Sequence, residues 1–154
     1  MTAAHLAAED AWKPCDLRGT YPDAVSAALF RDIGGAVGTM LAPFSRVVVA
    51  GDFRLSTPDL KRELIDGLKQ TGAQVVDAGQ VPTPMAYFEA ERSGAGAVLI
   101  VTASHNPPTH NGLKLMLGSV PITPRQLSEI RALSVSAAFG SMLLPCRIKQ
   151  RNDA

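Results

Sequence analysis

Excess charge is the first thing this sequence lacks. Its 15 basic side chains stand against 14 acidic ones, a formal net charge of +1. No whole-molecule field therefore draws it to nucleic acid or to an anionic membrane, and any anion binding has to be local. Long apolar runs are missing too, for nothing approaches the roughly 20 residues that cross a bilayer. The opening MTAAHLAAEDAWKPC carries Glu9 and Asp10 where a secretory signal would hold its apolar stretch. Cysteine is scarce: Cys15 and Cys146 lie far apart and outside any CxxC pair, which suits reduced thiols better than a disulfide frame. The expectation is a soluble cytoplasmic protein with no nucleic-acid and no membrane partner.

What is present is a core. A hydrophobic content of 46% over 154 residues is enough for one globular domain. From Arg46 to Leu117 short apolar runs alternate with helical patterns, the arrangement that specifies parallel strands joined by crossovers. Val47-Val48-Val49 reads as a strand buried on both faces. Thr57 is an N-cap candidate before Pro58, Leu60, Leu64, Ile65 and Leu68 follow at helical spacing, and Gly72 offers the stop. Val75-Val76 opens the next strand, so 46–78 is a βαβ unit expected to be right-handed.

Thr83-Pro84 repeats the helix start, and Gly94 ends that helix. A third strand covers 97–102 and a fourth 112–117. Only about nine residues separate these two, too few for a parallel crossover helix, so they pair antiparallel. Asp23 to Leu41 is a further helix candidate whose Gly34, Gly35 and Gly38 permit close packing and weaken it intrinsically. A short helix spans Pro124 to Leu133. The resulting fold class is α/β: a mixed four-stranded sheet with helices on both faces. Residues 12–133 form the domain, and 134–154 are an atypical tail, expected to be poorly packed, in which Met142-Leu143-Leu144 would be exposed.

The stretch VTASHNPPTH, 101–110, leaves the carboxyl end of the third strand, where open α/β sheets place their ligands. It presents Ser104, His105 and Asn106, and Pro107-Pro108 stiffens it. Each of these is also an ordinary turn former. Asp52-Phe53-Arg54 reads equally as a solvated loop before a capped helix, and Lys114 as an edge-strand charge.

Taken together, four segments carry a resemblance. Cys15-Asp16-Leu17-Arg18-Gly19 resembles a (Y)D(I/V)RG opening, and Gly51-Asp52-Phe53-Arg54-Leu55-Ser56-Thr57-Pro58 a GxDxRxSxP segment. Gly79 to Pro84 resembles a GxxPTP element, and Thr102-Ala103-Ser104-His105-Asn106-Pro107-Pro108 the phosphoserine loop of the alpha-D-phosphohexomutases, in the phosphomannomutase/phosphoglucomutase branch. His110-Asn111-Gly112-Leu113-Lys114 is similar to that family's YNGxK stretch. Cys15 and His110 depart from its tyrosines.

The resemblance implies a three-layer α/β/α first domain with strand order 2-1-3-4, the last antiparallel. It implies that Ser104 is the phosphoserine, exchanging its phosphoryl group with a hexose 1-phosphate or 6-phosphate by way of a hexose 1,6-bisphosphate activator. Lys114 would stabilise charge and assist proton transfer, and Arg18 would grip the phosphoryl group. Asn106 would order the loop and contact substrate, with His105 a candidate proton carrier. It implies Mg2+ as well, bound through the Ser104 phosphate.

The family's DGDxDR aspartates, which supply the other magnesium ligands, are absent from this sequence. Three readings follow. One is the first domain of a mutase, completed by a chain supplying domains II to IV, or a truncated or frame-shifted product inactive alone. Another is a non-enzymatic module that binds a phosphosugar or a partner. The third is an α/β domain of unrelated role.

Overall fold

The structure, a computed structural model, describes residues 3–136. A short helix α1 (Ala3–Ala7) and a 3-10 turn (Glu9–Ala11) precede β1 (Asp16–Thr20), α2 (Ala27–Met40), β2 (Arg46–Gly51), α3 (Thr57–Gln70) and β3 (Gln74–Gln80). Then come α4 (Thr83–Ser93), β4 (Ala97–Val101), β5 (His110–Leu117), β6 (Val120–Pro121) and α5 (Pro124–Val135). The sheet runs β1-β5-β4-β2-β3, with β6 on β5. β2 is parallel to β3 and β4, and β5 is antiparallel to β4 and β1.

The apolar runs form strands because both faces of the central sheet are covered. Val47, Val49, Leu99 and Val101 point to one side, into a core with Leu29, Phe30 and Ile33 of α2, Leu60 and Leu64 of α3, and Ile130 of α5. Val48, Ala50, Val98 and Ile100 point to the other, against Ala86 and Ala90 of α4. The result is the three-layer α/β/α sandwich, and the order of the four expected strands is as anticipated.

The sheet is nevertheless six-stranded rather than four-stranded. β1 shows no sequence period because only Leu17 in it is a large buried apolar residue. It is held instead by its register with β5, Asp16 opposite Lys114 through Thr20 opposite His110. That pairing places β5 inside the sheet, so Lys114 is not an edge-strand charge. Helix α2 begins at Ala27 and not at Asp23, because Ser26 caps it by accepting the Leu29 amide. At α3 the N-cap is Ser56, while Thr57 turns its hydroxyl elsewhere. At the far end α5 continues to Val135 with Ser134 buried. The rest of the expected tail, 137–154 with Met142-Leu143-Leu144 and Cys146, lies outside the described residues.

The glycines of α2 do allow close packing. A Cβ at Gly34 would sit 2.3 Å from the Leu64 carbonyl oxygen, and one at Gly67 of α3 would sit 2.0 Å from that of Arg31. Both obstacles are backbone, so the helices would have to separate. Gly67→Ala should therefore cost about 2 kcal/mol of stability, overpacking outweighing the roughly 1 kcal/mol gained in helix propensity. Urea unfolding of the two proteins measures it, and equal or greater stability of the variant would contradict the packing account.

Candidate active site

The parallel strands β2, β3 and β4 end side by side, and the loops that follow them are stitched together. Asp52 N donates to Val101 O, Val81 N to Gly51 O, and the Gln80 side-chain amide to Asp52 O. Because β5 runs antiparallel to β4, and β1 antiparallel to β5, the start of β5 and the end of β1 reach the same end of the sheet. Tyr21 N closes that corner by donating to Thr109 O.

Ser104 sits in the loop after β4 with its side chain exposed and a backbone φ of 57°, in the left-handed region that side-chain-bearing residues rarely adopt. Its amide donates to Thr102 Oγ1 at 3.0 Å, and its hydroxyl lies 3.4 Å from His105 Nδ1. His105 is exposed and Asn106 half-buried.

Arg18 lies two residues inside the end of β1, half-buried, with Nε and Nη2 both donating to Asp16 Oδ2 at 2.8 and 2.5 Å. Asp16, Arg18 and Lys114 project from one face of the sheet, for Lys114 stands opposite both Asp16 and Ile100, and Arg18 opposite Gly112. Arg18 shares the lining of a cavity of about 700 Å³ with Asn106, His110, Lys13 and Asp10. Arg18 and the serine loop thus border one hollow, and Lys114 shares the sheet face with Arg18. Among the described residues no hydrogen bond joins the Ser104 hydroxyl to Arg18, Asn106 or Lys114.

What sequence reasoning missed is the support beneath this loop. Arg54 is not a solvated charge: its side chain is 14% exposed. Its Nε donates to Asp52 Oδ2, its Nη1 to the carbonyls of Pro107 and His110, and its Nη2 to those of Ser104 and Asn106. Asp52 in turn accepts from the Arg54 amide and from Thr57 Oγ1. Fully buried Asn111 completes the chain, donating to Ser56 Oγ and Thr57 Oγ1 and accepting from the Gly112 amide. The usable signal was a cluster of short polar side chains just ahead of a helix that begins with proline. The chain's one described thiol, Cys15, is free and exposed.

A family model for the phosphoglucomutase/phosphomannomutase alpha/beta/alpha domain I matches residues 12–140. The chain belongs to this family. A Thermococcus gammatolerans protein named "Probable phosphoglucosamine mutase" is 40% identical over 124 residues, 80% of this chain and 27% of that protein. A phosphomannomutase/phosphoglucomutase of Pseudomonas aeruginosa is 35% identical over 148 residues, 90% of this chain and 32% of its own length. Among solved structures, a phosphoglucomutase/phosphomannomutase family protein from Burkholderia thailandensis superposes with a TM-score of 0.74 at 39% identity, covering 82% of this chain and 30% of that one. The chain therefore spans less than a third of these relatives. No helix among the described residues is long and apolar enough to cross a membrane.

Proposed function

We propose that this chain is the phosphoryl-carrying first domain of a phosphohexomutase, and that it does not turn over by itself. The observation that carries the reading is Ser104. An exposed hydroxyl in a left-handed conformation, in a loop whose Asn106 lines the same hollow as Arg18, supports a chemical rather than a packing role.

In this reading the Ser104 Oγ carries a phosphoryl group. As the Oγ–P bond breaks, a bond forms from phosphorus to the free hydroxyl of a hexose monophosphate, whose proton passes with assistance from Lys114 to the departing Ser104 Oγ, leaving a neutral serine. The resulting bisphosphate turns over and returns its other phosphoryl group to Ser104, so phosphate moves between C1 and C6 of the sugar. Arg18 neutralises charge on the moving group with a forked, permanently charged donor set. Asn106 shapes the loop and contacts the substrate, and His105, next to the hydroxyl, is the second proton-transfer candidate. The relatives' names span glucosamine, mannose and glucose phosphates, which supports a hexose phosphate as the substrate class.

Among the described residues no group of three or more His, Cys, Asp or Glu side chains could hold a metal ion. A phosphate oxygen on Ser104 alone does not make an octahedral magnesium site, and no step above is routed through the ion. The missing ligands and most of the charge neutralisation would come from a chain supplying domains II to IV.

A split-enzyme assay tests the reading. The chain, magnesium, glucose 1-phosphate and a trace of glucose 1,6-bisphosphate should give no turnover. Adding the remainder of the Pseudomonas relative, expressed without its first domain, should give measurable turnover. Silence of this mixture, when the relative's own first domain restores activity to the same remainder, would reject the proposal, and so would robust turnover by the chain alone.

A further inference from the structure

We infer that Arg54 and Thr102 are positioning residues that hold Ser104 in its left-handed conformation, so that the GDFRLSTP segment acts as the clamp of the serine loop. The inference rests on the reading of Ser104 as the phosphoryl carrier.

Both peptide groups of Ser104 are held. Its N–H donates to Thr102 Oγ1 at 3.0 Å, and Thr102 is only 7% exposed. Its carbonyl accepts from Arg54 Nη2 at 3.1 Å. The same guanidinium draws three more carbonyls of the loop toward one point: Asn106 at 2.7 Å, Pro107 at 2.6 Å and His110 at 3.0 Å. With Nε on Asp52 at 3.0 Å, each of its five N–H donors has an acceptor.

Four carbonyl dipoles turned toward one cation would not be the free preference of a short, proline-rich loop. Nor would a left-handed serine, which lacks glycine's freedom. The cation that gathers them is fixed from below, because Asp52 is braced by Thr57 at 2.7 Å and Thr57 by buried Asn111 at 3.1 Å. A lysine could keep the charge next to Asp52, but a single ammonium on a flexible stem cannot span Asp52 and four carbonyls.

The test uses the full chain of 154 residues as wild type, Arg54→Lys and Thr102→Val, the last keeping the volume and losing the acceptor. NMR reads the intraresidue amide-to-Hα cross-relaxation of Ser104, which is strong at positive φ, and amide exchange through residues 103–111. Thermal unfolding is recorded alongside. Both variants should lose the strong Ser104 cross-peak, and loop exchange should rise about tenfold while the amides of β2 and α3 stay as in wild type, the pattern of a local opening.

A wild-type cross-peak in Arg54→Lys overturns the inference. So does faster exchange shared by β2 and α3, which would make Arg54 a general stability contact. Should Arg54→Lys not fold, Thr102→Val decides on the same readouts. None of these measurements needs a phosphorylated serine, so failure of the clamp shows here and failure of the mutase reading shows in the split-enzyme assay. In that assay, if it is active, Arg54→Lys should lower kcat about 100-fold with KM within about twofold, as for a misplaced reacting group.

Discussion

Replacing Ser104 by alanine is expected to reduce the reconstituted turnover to background. It should also abolish covalent uptake of label from a radiolabelled hexose 1,6-bisphosphate. Removal of the oxygen that bonds to phosphorus leaves no hydroxyl at the left-handed position beside His105. Thr102 is buried with its Oγ1 engaged by the Ser104 amide, and the Thr109 hydroxyl lies beside His110. The variant should fold normally, since the side chain is exposed and its one side-chain contact is the 3.4 Å approach to His105. Label retained by Ser104→Ala would place the acceptor elsewhere and remove the basis of the functional reading. Loss of activity together with a large loss of stability would instead show that the serine side chain supports the loop.

His105→Ala separates two roles in the same experiment. If His105 carries a proton, turnover falls by roughly 10² to 10⁴ while label still accumulates on Ser104. If it only shapes the loop, label and turnover fall together.

The parts of the fold that could be read ahead of the structure are those where burial dictates the residue type. Val47-Val48-Val49 and Ala97 to Val101 are apolar without a break because helices cover both faces of the sheet, and such runs need no partner to be recognised. β1 is different. Asp16, Arg18, Gly19 and Thr20 are there for the hollow and for the turn that follows, so a single leucine is all that marks a strand. The caps at Ser26 and Ser56 differ from the expected Asp23 start and Thr57 cap because two residues able to cap lie near each start, Asp23 and Ser26 at one and Ser56 and Thr57 at the other. Tertiary bonds decide among them, as when Thr57 is taken by Asp52.

The candidate site divides the same way. Arg18, Asn106 and His110 belong to separate motifs, and their lining of one hollow follows from strand order, whereas Lys114 lies mid-way along β5 on the sheet face of Arg18. The brace of Arg54, Asp52, Thr57 and Asn111 could not be anticipated, because the segment holding Asp52, Arg54 and Thr57 meets Asn111 and the loop carbonyls only across about 50 residues of chain. Each taken singly has a sufficient local explanation as a cap, a turn residue or a surface charge. Only burial distinguishes them: Asn111 and Thr57 are fully buried polar residues, and such groups have to be paired.

Gly112 gives the second large effect. It stands opposite Arg18 in the β1–β5 register, and its amide is held by the Asn111 side chain while its carbonyl accepts from Thr102 N. A Cβ here would lie 2.0 Å from the Leu17 carbonyl oxygen and 3.0 Å from that of Thr102. Both neighbours are backbone atoms of strands or loops on either side of β5, so no rotamer change can make room. Alanine must push β1 away from β5 or pull the serine loop off its anchor at Thr102. Gly112→Ala is therefore expected to destabilise the chain by about 3 kcal/mol, the upper part of the range for overpacking. Urea unfolding followed by circular dichroism gives the number. Amide exchange should show the loss concentrated in residues 16–20 and 102–112. Label uptake at Ser104 should fall as well, since Arg18 and Ser104 both depend on this crossing point. A loss under about 1 kcal/mol, with β1 still protected, would mean that the close approach of these backbones is not required.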